Sequence, residues 1–205
     1  MDRRERGLQA IGRVANPHGN MLDVLVIDGA HAPAYDADVD FDGACETPNR
    51  EAFEVGEGEG VLVEIGGCGV ADVYESGGSF VIPETYLDDE GEDAPAQRER
   101  TIATHPTTDP VLLGTVRVDS GVLVLMGLLG EPLVVPRVTE DAPVGQLEVG
   151  VAIAVEAGTY EVWAESFAEE PQGPWGMMPS RVRVVARGTS VVPGEPIASW
   201  PDDEG

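Results

Sequence analysis

The chain has no lysine. Its 205 residues carry 12 basic side chains, all Arg, against 38 Asp and Glu, for a formal net charge of −26. Such a chain has nothing with which to neutralise a row of phosphates, so the sequence excludes a general nucleic-acid binder and disfavours an anionic membrane surface. Long apolar runs are missing too. None approaches the ~18–20 residues of a transmembrane helix. The basic start Met1-Asp2-Arg3-Arg4-Glu5-Arg6 has no apolar stretch behind it and does not read as a signal peptide.

Cysteine and histidine are scarce. Cys45 and Cys68 are the only cysteines, and with no sign of secretion they read as free thiols of a reducing cytoplasm. His18, His31 and His105 stand alone among Gly and Pro, without the spacing of a zinc site. No cofactor or metal is expected. Aromatic residues are 5% of the chain, too few to argue a sugar platform beside paired carboxylates. The glycine runs at 56–60, 66–69 and 76–78 lack a following G-K-S/T and read as hairpin turns. Ser76, Ser120 and Cys68 stand beside Gly and His105 is within the same chain, but no G-x-S-x-G elbow exists, so no nucleophilic triad is assigned. The expectation is a protein that is not an enzyme.

Glycine, proline and β-formers are plentiful: 26 Gly, 16 Pro and 42% apolar residues. Short runs recur at about ten-residue spacing between glycine turns. Strands are predicted at Leu22–Ile27, Asp38–Asp42, Ala52–Val55, Val61–Ile65, Val70–Tyr74, Ser79–Ile82, Val111–Val118, Val122–Met126, Leu133–Val135, Val151–Val155, Thr159–Ala164 and Arg181–Ala186. Asp119-Ser120-Gly121 and Glu156-Ala157-Gly158 read as hairpin turns, and Arg181–Ala186 as a half-exposed last strand. One short helix is predicted over Ala94–Thr104, stopped by His105-Pro106. The fold class is therefore all-β, an antiparallel sandwich or two small packed β-sheets. Four stretches follow: an acidic β half over 14–86, a polar connector over 87–110, a second β half over 111–187 and a Pro-rich acidic tail over 188–205. Val-Leu-Val occurs at Val24–Val26, Val61–Val63 and Val122–Val124, which hints at related half-domains.

The charge is uneven. Between Val14 and Gln97 there are 20 acidic residues against Arg50 alone. One reading is solubility; the other is a field that steers basic proteins toward this half. Asp38-Val39-Asp40-Phe41-Asp42-Gly43 matches the first half of a calcium loop. The twelfth position, however, is Asn49 where a bidentate Glu is needed, and an acidic edge strand fits better. Trp163 lies in a predicted strand and reads as core. Trp175, in the Pro/Gly/Met loop 171–179, reads as a plug over the sheet end or as a contact surface.

Two stretches carry a family likeness. Tyr74-Glu75-Ser76-Gly77-Gly78-Ser79-Phe80-Val81-Ile82-Pro83-Glu84 is the first. Leu113 to Gly127, followed by Gly130-Glu131-Pro132, is the second. In order and chemistry they resemble the immunity protein family twenty-one of bacterial polymorphic toxin systems, over about 30 of the 205 residues. The resemblance implies a small cytoplasmic protein that binds and neutralises a toxin encoded beside it, and it transfers no binding residues. The expected function is a non-catalytic protein-binding module with a basic protein partner. Asp36, Asp38, Asp40, Asp42, Asp88, Asp89, Glu90, Glu92 and Asp93 are the expected steering residues, and Trp175 is the expected anchor. The alternative is a structural or assembly subunit of a larger particle.

Overall fold

The computed structural model describes residues 8–16, 22–36, 50–65, 69–84, 94–108, 110–128, 134–168 and 180–197. Among the described residues twelve strands form two six-stranded antiparallel sheets. The strands are β1 (Gln9–Ala15), β2 (Leu22–Asp28), β3 (Arg50–Val55), β4 (Gly58–Ile65), β5 (Val70–Ser76), β6 (Ser79–Pro83), β7 (Val111–Val118), β8 (Val122–Gly127), β9 (Val144–Gln146), β10 (Gly150–Ala154), β11 (Gly158–Ser166) and β12 (Ser180–Ala186), with one α-helix among the described residues, α1 (Ala94–Thr104). The first sheet runs β1-β5-β6-β12-β11-β7 and the second β3-β4-β2-β8-β10-β9. The all-β sandwich expected from the strand spacing is thus the architecture observed.

Alternation places one side of each strand in the space between the sheets. Val14, Val73, Ile82, Val116, Val162 and Val184 of the first sheet meet Leu22, Val24, Val61, Leu123, Leu125 and Val151 of the second, all fully buried. Each such side chain contributes roughly 1.5–3 kcal/mol on leaving water. The outer faces are covered as well. Leu25, Ile27, Leu62, Val124 and Met126 lie under Ala32 and Tyr35 of the loop after β2. Tyr74 and Val81 lie under Ile102 and Ala103 of α1. Burial on both faces explains why β2 and β8 read as near-continuous apolar runs.

Two links expected to be hairpins are not. Asp119-Ser120-Gly121 carries the chain from β7 in the first sheet to β8 in the second, and residues 155–157 carry it from β10 back to β11. Asp28 fixes the first of these corners. Its buried carboxylate accepts the backbone N–H of Ala30 at 2.8 Å, Asp119 at 2.6 Å and Ser120 at 3.1 Å. True hairpins join β3 to β4 and β5 to β6. The second turns at Gly77-Gly78 with φ of 58° and 86°, the primed geometry that side chains resist. Val134 and Val135, expected in an edge strand, are not in one, and Leu133 lies outside the described residues. β1 and β9 were not expected.

The topology repeats. Strands β1 to β6 visit the sheets in the order first, second, second, second, first, first, and β7 to β12 do the same. The pairings β1–β5, β5–β6, β2–β4 and β3–β4 recur as β7–β11, β11–β12, β8–β10 and β9–β10. Finer details repeat with them. β1 carries one extra residue, Ile11, before Gly12, and β7 carries Leu113 before Gly114. A Cβ on Gly60 would strike the Val26 carbonyl, and one on Gly150 the Leu125 carbonyl. The halves meet across β6–β12 and β2–β8, so each sheet is a palindrome about its centre. An internal duplication with a pseudo-twofold axis accounts for all of these coincidences.

Candidate functional site

Of the residues expected to receive a partner, only Asp36 lies within the described structure, where it is exposed after the short 3-10 turn Ala32–Ala34. Asp38, Asp40, Asp42, Asp88, Asp89, Glu90, Glu92, Asp93 and Trp175 lie outside the described residues, as do Cys45, Cys68 and His18. Among the described residues no three His, Cys, Asp or Glu side chains gather as a metal site. No described helix is long and apolar enough to cross a membrane. Trp163 is half-buried on the outer face of the first sheet, not in the central core, and its Nε1–H points to Glu161 Oε2 at 3.3 Å. Ser76 Oγ donates to the Ile197 carbonyl at 3.4 Å, and Ser120 Oγ exchanges hydrogen bonds with the Val122 backbone. Both hydroxyls are thus engaged with main chain. His105 packs edge-on against Phe167 at 5.5 Å.

The chemically densest place is one the sequence did not announce. Arg181 and Arg183 of β12 and Glu165 of β11 lie on the outer face of the first sheet under α1, all buried. The strand expected to be half-exposed is sealed along this side. Glu165 Oε2 accepts Arg181 Nε at 2.8 Å and Arg183 Nε at 2.9 Å, and Oε1 accepts Arg183 Nη2 at 2.7 Å. Arg181 Nη1 donates to the Ile102 carbonyl, which ties the sheet to α1, and the guanidinium lies 5.4 Å from the centre of the Phe167 ring. Burial pulls the Arg181 guanidinium below its usual pKa. The Glu165 hydrogen bond and charge oppose that shift, and the neighbouring Arg183 adds to it. Both oxygens of Glu165 are thus taken by guanidinium N–H groups. The cluster fastens the helix to the sheet.

A second feature is open to solvent. At one end of the sandwich a cleft of about 460 Å³ takes its lining from both sheets, with Ile11, Phe80, Ile153 and Tyr160 and with Glu75 and Glu156 among its polar groups. Tyr160 donates its hydroxyl to the Glu156 carbonyl at 2.9 Å, and burial, aided by the Glu156 charge, raises its pKa above 10.0. Gln146 holds the sheets together beside the cleft. Its Nε2, with two N–H groups, lies within hydrogen-bond distance of the Arg13, Leu147 and Gly150 carbonyls at 3.0, 3.0 and 2.9 Å, bridging β1 to the second sheet.

Two carboxylates on the frame give opposite expectations. For Asp28, burial pushes the pKa up, but the N–H groups of Ala30, Ser120 and Asp119 and the Ser120 hydroxyl outweigh it and hold the group below its ordinary 3.8. Its contribution is therefore complete above pH 3.8 and is lost as the pH falls through the lowered value. Asp28→Ala strands these N–H groups and is expected to cost about 1–3 kcal/mol in urea unfolding at pH 7. The gap to the native chain should close at acid pH; a gap independent of pH contradicts the assignment. Asp23 is the reverse case. Burial first, and then the charge of Glu64 directly across the β2–β4 pair, raise its pKa. Ionised Asp23 therefore opposes folding, and that penalty disappears as the pH falls below the raised value. Asp23→Asn is expected to stabilise by about 0.2–1 kcal/mol at pH 7, with a higher Tm, and to be neutral in acid. A lower Tm at pH 7 contradicts it.

No protein-family model, no curated protein and no solved structure matches the chain.

Proposed function

We propose that this protein is a non-catalytic binding module that captures a basic protein, in the manner of an immunity protein neutralising a toxin. The observation that carries the reading is the charge: −26 overall, with 20 of the acids between Val14 and Gln97 against one Arg. A field of that sign raises the encounter rate with a positively charged partner and turns away nucleic acid. The most concentrated set of buried charges, Glu165 with Arg181 and Arg183, is internally satisfied except for Arg181 Nη2, and this favours a structural over a reactive use. The family likeness of the Glu75–Gly78 and Leu113–Gly127 stretches points the same way. A cytoplasmic setting goes with this reading.

The test is co-purification with the products of adjacent reading frames, followed by stopped-flow association at stepped ionic strength. The association rate is expected to fall at least roughly tenfold between low and high salt, as the Debye length shrinks from about 30 Å to about 3 Å. A salt-independent rate, or no binding by any adjacent product, overturns the proposal.

One observation favours assembly as a second reading. β7 is the last strand of its sheet, and Val111 and Leu112 on it are 59% and 43% exposed. An apolar outer strand is a template for pairing with another chain. Light scattering separates the two readings, since a large defined oligomer supports assembly and a monomer the binding module.

A further inference from the structure

We infer that the open end of the sandwich is the contact site for that basic partner, and that it takes an apolar side chain flanked by Arg or Lys. The inference rests on the binding-module reading and names where, and with what chemistry, the binding occurs. The cleft is of ligand-site size, about 460 Å³, against the ~300–1,000 Å³ usual for built sites. Its floor is apolar: Phe80 and Ile153 belong to the central core, and Ile11 packs against it. An alkyl or aryl group entering there extends the central core. The charged groups among the described lining residues are of one sign. Glu75 follows Ala71 and Val73 on the inward-facing side of β5, so a carboxylate occupies a position that alternation assigns to the sandwich interior. Glu156, which is exposed, lines the cleft as well, and its carbonyl accepts the Tyr160 hydroxyl. No described Arg lines the cleft. Glu75 Oε1 accepts the Gly78 N–H at 3.4 Å, and a cationic neighbour would add the charge complement to both carboxylates that an anionic or neutral apolar ligand lacks.

The duplication supplies an independent comparison. The matched bulges align Val73 with Val162, which places Ala164 at the position of Glu75 and aligns Tyr160 with Ala71. The same frame therefore tolerates alanine at both positions. Folding does not demand Glu75 or Tyr160, and their presence at this end is an addition to the repeated plan.

Three capped tripeptides test the proposal on the full chain: Ac-Arg-Phe-Arg-NH2, Ac-Glu-Phe-Glu-NH2 and Ac-Arg-Gly-Arg-NH2, titrated while following the methyl resonances of Ile11 and Ile153 and the ring of Tyr160. Saturable shifts are expected with the first peptide alone. The double variant Glu75→Gln, Glu156→Gln is expected to weaken that binding roughly tenfold, with an otherwise unchanged spectrum showing that the frame is intact. Equal shifts from the acidic peptide, equal shifts from the glycine peptide, or no saturation by the first peptide overturns the site. If the peptides fail while an adjacent basic product still associates in a salt-sensitive way, the cleft assignment falls and the binding reading stands. If the first peptide saturates the cleft while no adjacent product binds, the partner assignment falls and the cleft's chemistry remains.

Discussion

Glu165→Ala is expected to lower the free energy of unfolding by about 3–5 kcal/mol, the cost of removing one partner from a buried ion pair. The reason is what stays behind. Arg181 and Arg183 are buried side by side at the β11–β12 pair, and a guanidinium cannot shed its charge at any accessible pH. Without Glu165 the two cations repel with no anion between them and little water to screen them. Glu165→Gln keeps the shape but not the charge, and is expected to recover only a minor part of the loss. The triple change Glu165→Leu, Arg181→Met, Arg183→Leu is expected to return close to native stability, because an apolar cluster of similar volume avoids the desolvation that the ions carry. The repeat lends this weight. At the positions equivalent to Glu165, Arg181 and Arg183, the first half has Ser76, Ser79 and Val81, and it folds without an ion cluster. Urea unfolding followed by far-UV circular dichroism reads all three variants. A loss below about 1 kcal/mol for Glu165→Ala would mean that the cluster behaves as an exposed pair, of the kind Arg13 makes with Asp72 at 2.9 Å.

Much of this architecture is legible in the residues, and the exceptions have physical causes. α1 and β7 coincide with the sequence expectation because proline after His105 and the β-branched run after Pro110 mark their ends. β1 escaped because its bulge at Ile11 breaks the period of two and Gly12 and Arg13 dilute the apolar signal. β9 is three residues long, too short for any period to show. The two mistaken hairpins share one cause. An Asp-Ser-Gly or Glu-Ala-Gly link suits a corner between sheets as well as a turn within one. What decides the matter is distant, namely that β8 pairs with β2 and that Asp28, 91 residues away, takes the N–H of Asp119. The Arg face of β12 was read as exposed because alternation gives no sign of the helix that covers it. The cleft was hidden for a related reason, since nothing local tells an inward Glu75 from an outward one. The Val-Leu-Val repeats suggested duplication through the wrong residues. The glycine contacts align Val26 with Leu125, which puts Val24 opposite Leu123 in the repeat rather than Val122.

The duplication makes a demand on the halves themselves. When the chain is divided at Asp109, the fragments 1–108 and 110–205 are expected to recombine into a one-to-one complex with the circular dichroism of the intact protein. Each fragment carries three strands of each sheet, and the core between the sheets is shared, since β1 packs on β8, β9 and β10 and β7 on β2, β3 and β4. Separation removes the five residue pairs of β2–β8 and the four of β6–β12. That exposes the edges of two strands which, in the intact protein, are central and buried on both faces, and such edges seek partners. The palindrome dictates which partner an isolated half finds. Because β2 faces its own equivalent β8, and β6 its own equivalent β12, a second copy of the first half can offer β2 to β2 and β6 to β6 in the same antiparallel sense. Each isolated fragment is therefore expected to sediment as a dimer, and mixing the two is expected to shift both into the heterodimer. The seams differ in detail, with Leu25 meeting Met126 and Val26 meeting Leu125, so the mixed complex packs better than either self-complex and should unfold at a higher urea concentration. A half that sediments as a folded monomer would overturn the demand, because it would show that three strands of each sheet can close a core without crossing the seam.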